Sequence, residues 1–168
     1  AAAGDPAKGY YERTKGNWQI LYLNSTCWEV GGCEIDAPQQ VWLAEVLAAA
    51  PEGQCRIAIM HHPRWSSWGP YASQGGLDPI YSLLHEAGTD LILTGHGHHY
   101  ERLARLDPNG QPDPGGFRQF TVGTGGTAPR FPDAGDVLAT SDALITGEWG
   151  VLDLDLFESS YDWRFVNV

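Results

Sequence analysis

The chain has 168 residues, long enough for one domain with its own core, and 42% of them are hydrophobic, which excludes a disordered composition. Its 21 acidic and 10 basic residues give a formal charge of −11 without a basic cluster, which argues against nucleic-acid partners and anionic membrane surfaces. No apolar stretch approaches the ~20 residues that span a bilayer, and the first residues lack the basic and apolar regions of a signal peptide.

The first hundred residues contain short apolar runs separated by helical patterns. The runs that are typical of buried strands are 18–24, 56–60 and 90–95. Asp36, with Gln39 three residues on, is the expected N-cap of the first intervening helix, and Asp78 that of the second, which should end at Gly88. This β-α-β-α-β order predicts parallel strands joined by right-handed crossovers.

The sequence changes character after Arg102, where a turn-rich loop precedes further strand patterns. These strands are predicted over 117–123, 149–157 and 161–168. Leucines alternate with Asp153 and Asp155 in the second of them, while Tyr161, Trp163 and Phe165 share one face of the third; the two are expected to form a hairpin.

Three cysteines leave an odd number for pairing. Cys27 and Cys33 bracket a short glycine-containing loop that could close as a disulfide, with Cys55 left free or paired outside the chain. No C-x-x-C pair is present, which argues against a zinc ribbon. A disulfide indicates an exported protein, so an extracytoplasmic or secreted location is expected, although the chain carries no signal segment.

Histidines follow two of the predicted strands directly. His61 and His62 follow the second run, and His96, His98 and His99 follow the third. Ligands of open α/β sheets bind beyond the carboxyl ends of the strands, so His61 should meet His96 and His98 there. Imidazoles are common ligands of transition metals, and we prefer a metal site to the alternatives of loop or buried structural histidines. His62 and His99 are expected to contact solvent, substrate or the ligands.

Other polar residues have simpler expectations. His85 lies off the apolar stripe of its helix and is predicted to be at the surface. Glu101 and Arg102 are interpreted as a structural ion pair. Tyr100 could line a pocket or pack in the core, and both alternatives are open.

Five segments together resemble the calcineurin-like metallophosphoesterase superfamily, and within it the secreted bacterial relatives of purple acid phosphatases. They are LNSTCWEVGGC, QQVWLAEVL, MHHPRWSS, LILTGHGHHYER and FTVGTGGT. The H-x-P and G-H-x-H motifs are the most specific of them. The resemblance covers nearly the whole chain and implies an α/β fold that is part of a four-layer αββα sandwich, with β-α-β-α-β followed by antiparallel strands.

The resemblance also implies an activity, the hydrolysis of phosphomonoesters by a metal-activated hydroxide at a dinuclear centre of iron, zinc or manganese. His61 and His96 would ligate one metal and His98 the other, while His62 could protonate the leaving group. The residues expected around the ligands or the substrate are His99, Tyr100 and Asn24.

The family pattern has an Asp, a bridging Asp and a G-N-H motif that this sequence lacks. Asp5 and Asn17 imitate fragments of that pattern, but neither follows a predicted strand. Residues 1–168 are therefore interpreted as one domain without its amino-terminal half, holding one metal and having lost most of the activity. The expected partners are a phosphate-ester substrate and either the missing half or a second copy of the chain.

Two alternatives to a phosphoesterase are open. The chain could be a degenerate, non-catalytic homologue that binds a metal or a partner, which the missing carboxylates favour. It could also be a one-metal hydrolase of another class, since three histidines with an open position form a catalytic zinc geometry.

Overall fold

The computed structural model describes residues 4–68, 74–128 and 137–168. Strands and helices in these ranges follow the chain order β1 (Tyr11–Lys15), β2 (Trp18–Tyr22), α1 (Pro38–Ala49), β3 (Cys55–Ile59), α2 (Asp78–Glu86), β4 (Leu91–Thr94), β5 (Tyr100–Leu106), β6 (Phe117–Val122), β7 (Ser141–Ile145), β8 (Gly150–Leu156) and β9 (Tyr161–Asn167). Single 3₁₀ turns cover Cys27–Glu29 and Gly75–Leu77. No helix within the described ranges is long and apolar enough to cross a membrane.

Seven strands form one sheet in the order β1-β2-β3-β4-β6-β5-β7. Its centre is parallel: β2 pairs with β3, β3 with β4, and β4 with β6. The helices α1 and α2 connect the first three of these strands, which confirms the predicted β-α-β-α-β unit. All four parallel strands consequently end at the same edge of the sheet, called here the carboxyl edge.

Each face of the sheet has its own hydrophobic cluster. On one face, Leu43 and Leu47 of α1 and Ile80 and Leu84 of α2 are buried in a cluster that also contains Ala58 from the sheet. On the other, the hairpin β8–β9 covers a second cluster with the apolar face predicted for Tyr161, Trp163 and Phe165. The described chain therefore has three layers: helices, sheet and hairpin.

Both predicted N-caps are wrong. The first helix begins at Pro38, two residues after Asp36, and no side chain caps it. The second begins at Asp78 itself, whose carboxylate is paired with Arg64. Gly88 does end this second helix region as predicted, with φ +71° and its N–H donated to the His85 carbonyl.

Three strands had no clear pattern in the sequence. They are β1, β5 and β7, two of which lie at the edges of the large sheet. The third, β5, is an interior strand that contains Glu101, Arg102 and Arg105, so its charges hide the alternation on which strand prediction depends.

The predicted disulfide is present. Cys27 and Cys33 are bonded at an S–S distance of 2.11 Å, and Cys55 is free. Partial burial, and next the charge of Asp90, raise the pKa of the Cys55 thiol, so this cysteine has little thiolate character.

Candidate metal centre

Three imidazoles meet at the carboxyl edge. The ring nitrogens His61 Nε2 and His96 Nδ1 lie 3.1 Å apart, and one nitrogen from each of His61, His62 and His96 lies within 4.8 Å of the others. The pairing of β3 with β4 continues past the strand ends, where Gly95 donates its N–H to the His61 carbonyl at 3.0 Å. The predicted meeting of these two histidine segments is therefore confirmed.

His96 has an unusual backbone conformation. Its φ of +57° is the only positive value among the non-glycine residues that the structure describes. The Gly97 N–H reaches back to the Gly95 carbonyl at 2.6 Å, which closes a left-handed γ-turn around His96. Such a conformation costs roughly 1–3 kcal/mol and persists only where surrounding contacts impose it. The strain marks His96 as a position where side-chain direction matters.

A close backbone contact supports this turn from below. The Gly123 N–H donates to the His99 carbonyl at 3.1 Å, and a Cβ on Gly123 would overlap the carbonyl oxygen of Gly97. Gly123 follows β6 directly, so the turn after β6 must be bare of side chains for the histidine loop to lie on it. In the sequence, the glycine-rich segment predicts a turn at this place but not its close contact with the histidine loop.

Ser25 orients His62. The Ser25 hydroxyl accepts the His62 backbone N–H at 2.8 Å and lies 2.9 Å from Nδ1 of its ring. Ser25 follows β2, so a third parallel strand contributes to the site. Sequence reasoning assigned the neighbouring Asn24 to the site and did not single out Ser25.

The environment keeps two of these imidazoles neutral. Loss of hydration, and next the neighbouring His96, lower the pKa of His61. The same causes, in the same order, lower the pKa of His62 to about 4, although the hydrogen bond with Ser25 opposes the shift. Metal ligation needs neutral imidazole, so at neutral pH both rings are in the form that binds a metal.

His98 lies beside this cluster. It lines a cavity of about 300 Å³ together with His61, His96 and the glycine-rich turn after β6. Its ring centroid is 5.4 Å from that of Trp68, and its Nδ1 is buried without a hydrogen-bond partner among the described residues. The tightest group of nitrogens thus contains His62, where the sequence analysis expected His98, and ligation by His98 stays a prediction.

His99 and Glu101 form a buried polar network under the loop. Both side chains have no solvent exposure, and His99 Nε2 lies 3.4 Å from Glu101 Oε2. Glu101 also accepts the Ser67 N–H at 2.9 Å and the Ser67 hydroxyl, while Ser67 Oγ accepts the Leu138 N–H at 3.0 Å. One carboxylate therefore connects three segments of chain around the histidines.

The ion pair predicted between Glu101 and Arg102 is wrong. Neighbours on a strand point to opposite faces, so Arg102 lies over the Trp163 ring and near Asp142 instead. Burial opposes ionisation of Glu101, but hydrogen bonds from His99 and Ser67 hold the pKa of this carboxyl below its usual range. Sequence reasoning missed Ser67, for which the chain offers no local signal.

The remaining predicted residues lie elsewhere. The Tyr100 ring stacks on Phe165 at 4.5 Å in the core beneath the hairpin. The Asn24 side chain accepts the Thr26 N–H at 2.8 Å and so shapes the turn after β2. His85, which is partly exposed as expected, lies 3.1 Å from Asp113.

Two plant proteins are similar in sequence. Purple acid phosphatase 18 of Arabidopsis thaliana is 36% identical over 72 residues, covering 42% of this chain and 16% of that protein. Purple acid phosphatase 22 of the same plant is 32% identical over 98 residues, covering 56% of this chain and 22% of that protein. The chain thus spans about a fifth of the length of these curated relatives. No family model matches it.

Solved structures share the fold. The purple acid phosphatase PPD1 from yellow lupin (Lupinus luteus) seeds aligns with a TM-score of 0.80 at 19% identity, covering 97% of this chain and 31% of that one. GAP50, the anchor in the inner membrane complex of Plasmodium, aligns with a TM-score of 0.69 at 17% identity, covering 94% of this chain and 49% of that one. The sequence matches and the shared fold support the resemblance carried by the histidine motifs, which is to the carboxyl-terminal part of the calcineurin-like metallophosphoesterases and, among them, to the purple acid phosphatases.

Proposed function

We propose that the protein is a metal-dependent phosphoesterase that hydrolyses phosphomonoesters at the carboxyl edge of its sheet. The observation that carries this proposal is the convergence of His61, His62 and His96 within 4.8 Å of one another. Two successive parallel strands deliver these residues, and the similarity to purple acid phosphatases supports the reaction class.

The residues present fit a transition metal. The donor set consists of imidazoles, which suit zinc and iron, whereas manganese prefers oxygen ligands. His61, His62 and His96 would hold the ion, with His98 available from the adjoining cavity. A bound metal would supply Lewis-acid chemistry, drawing charge from a phosphoryl oxygen and lowering the pKa of water.

The protein's own groups prepare the site for that ion. Ser25 fixes the direction of the His62 ring, and the γ-turn at His96 directs a second imidazole toward His61. His62 was expected to protonate the leaving group, but a pKa of about 4 leaves it almost wholly unprotonated at neutral pH. A ligand role therefore suits His62 better than that of a proton donor.

A second candidate is a non-catalytic metal-binding homologue. Its support is that the histidine group, as far as the described residues extend, includes no carboxylate. Imidazoles alone leave the charge of two adjacent cations uncompensated, so one ion is the expected load. A further part of the protein or a second copy of the chain would then be needed for full activity.

We also propose an extracytoplasmic location, which the disulfide supports.

Hydrolysis of p-nitrophenyl phosphate by residues 1–168, titrated with zinc, manganese and iron, tests the first candidate. We expect metal-dependent turnover that His96→Ala removes, with a loss of at least about 100-fold. His85→Asn is the matched control, because that histidine pairs with Asp113 away from the cluster. Stoichiometric metal binding without turnover in the wild-type chain would instead favour the non-catalytic homologue.

A further inference from the structure

Trp28 is a large aromatic side chain in an unusual position. It is 78% exposed, more than any other tryptophan in the described ranges, of which Trp149 is next at 42%. Single exposed apolar residues are common and need no explanation by themselves. Trp28, however, lines the same cavity of about 320 Å³ as His62 and His96.

The backbone that carries Trp28 is held firmly. The disulfide joins Cys27 to Cys33. Cys33 and Val30 are both buried, with exposed fractions of 3% and 8%. Gly32 donates its N–H to the Cys27 carbonyl at 2.8 Å, closing the loop a second time. The loop thus buries Val30 and Cys33 and leaves Trp28 exposed, and because the backbone is already fixed, only the side chain of Trp28 loses freedom when it meets a ligand.

The cavity is lined by two chemically different groups of residues. Its polar lining residues are Ser25, Gln74, His62 and His96, and its large apolar ones are Leu77 and Trp28. A volume of about 320 Å³ is at the lower end of the range of small-ligand sites. A phosphate at the imidazoles would therefore place its ester group in a cavity that Trp28 also lines.

We propose that this cavity is a leaving-group subsite in which Trp28 stacks on a planar aromatic group attached to the phosphate. The inference rests on the proposed phosphoesterase function and adds a substrate class to it: esters whose leaving group is a phenol ring or a nucleobase-bearing unit. Offset or edge contact between the two aromatic rings would raise the affinity for such esters. A small alkyl ester has no ring and would not gain this affinity.

The test measures binding without turnover. Phenylphosphonate, methylphosphonate and an adenosine phosphonate would be titrated into the zinc-loaded full chain by calorimetry. We expect phenylphosphonate to bind about three- to tenfold more tightly than methylphosphonate. Trp28→Ala should remove that preference and Trp28→Phe should keep most of it. The adenosine arm separates a nucleobase from a simple aryl group, because only a ligand that stacks loses affinity in Trp28→Ala.

The control is Phe157→Ala, which removes an aromatic side chain exposed at 51% beside the hairpin turn and should change nothing. Equal affinity of Trp28→Ala and wild type for phenylphosphonate would overturn the subsite while leaving the phosphoesterase proposal intact. Failure of the wild type to bind any of the phosphonates with zinc would overturn the phosphoesterase proposal, and the subsite with it.

Discussion

The two ends of the parallel strands differ in what they concentrate. At the amino ends, a cavity of about 720 Å³ lies between the turn containing Asn17 and the hairpin turn near Phe157. At the carboxyl ends, the cavities near the histidines measure only about 320 and 300 Å³. The smaller ones nevertheless contain the imidazole group and border the left-handed residue His96. The candidate site therefore lies at the carboxyl ends of the strands, as in other open α/β sheets, and the volume of a cavity does not indicate where the site is.

Polar contacts at the two ends also differ in burial. Asn17 at the amino end donates to the carbonyls of Gly53 and Glu158 in exposed surroundings. Glu101 at the carboxyl end is buried and fully engaged. Since an unsatisfied polar group costs more when it is buried, substitutions at the carboxyl end should have the larger effects.

The largest effect is expected at Gly123. Gly123→Ala places a methyl group against the Gly97 carbonyl, so we expect a loss of about 3 kcal/mol or more in the free energy of unfolding, together with loss of metal binding. Urea denaturation and zinc titration measure the two quantities. Gly125→Ala is the matched control, because nothing lies within 4 Å of its added carbon. Equal stability of the two variants would show that the backbone contact is not tight.

Removing the buried carboxylate should have the next largest effect. Glu101→Ala leaves the Ser67 donors without an acceptor, and we expect a loss of about 2–3 kcal/mol in unfolding free energy. Glu101→Gln keeps one acceptor and should lose less. Asn17→Ala, at the opposite end, is expected to cost under about 1 kcal/mol because its partners are exposed. A greater loss in Asn17→Ala than in Glu101→Ala, by denaturation, would reverse the comparison.

The disulfide should contribute a moderate amount. Replacing both Cys27 and Cys33 with serine opens a loop of six-residue separation, so the free energy of unfolding should fall by about 2 kcal/mol. Cys55→Ser, at the amino end, should change it by less than about 0.5 kcal/mol. Thermal melts with and without reductant provide the measurement, and wild-type stability that does not respond to reductant would contradict the assignment.

The smallest effect is the pH dependence of the metal-free protein. His62 has a pKa of about 4 in the folded chain against an ordinary value of 6.5, so the unfolded chain binds a proton first as the pH falls. The free energy of unfolding should therefore decline between pH 6.5 and pH 4 and level off below. His62→Asn should flatten this slope, and an unchanged slope in that variant would assign the decline to other groups. The site is partly open to solvent, which limits the size of the effect.

Much of the fold followed from short-range patterns. The strand runs 56–60 and 90–95, the helix end at Gly88 and the hairpin with alternating leucines could be predicted because buried strands and helices repeat with known periods. The strand β5 could not be predicted, because Glu101, Arg102 and Arg105 interrupt the apolar alternation and are satisfied only by distant residues. Asp36 is a residue type that favours the N-cap position. The helix nevertheless begins at Pro38, because the fixed φ of proline suits the first helical position.

The sequence by itself determined that His61 and His96 would meet, because parallel strands joined by a helix must deliver their following residues to one edge. It also indicated a possible disulfide between Cys27 and Cys33 across a short glycine-containing loop, and the structure contains that bond. Only the tertiary structure decided that His62 joins the cluster, that Ser67 anchors Glu101 and that Trp28 faces the same cavity as the histidines. The first two of these features depend on contacts between residues 34 to 37 positions apart in the chain. Tertiary packing, rather than any local pattern, brings those residues together.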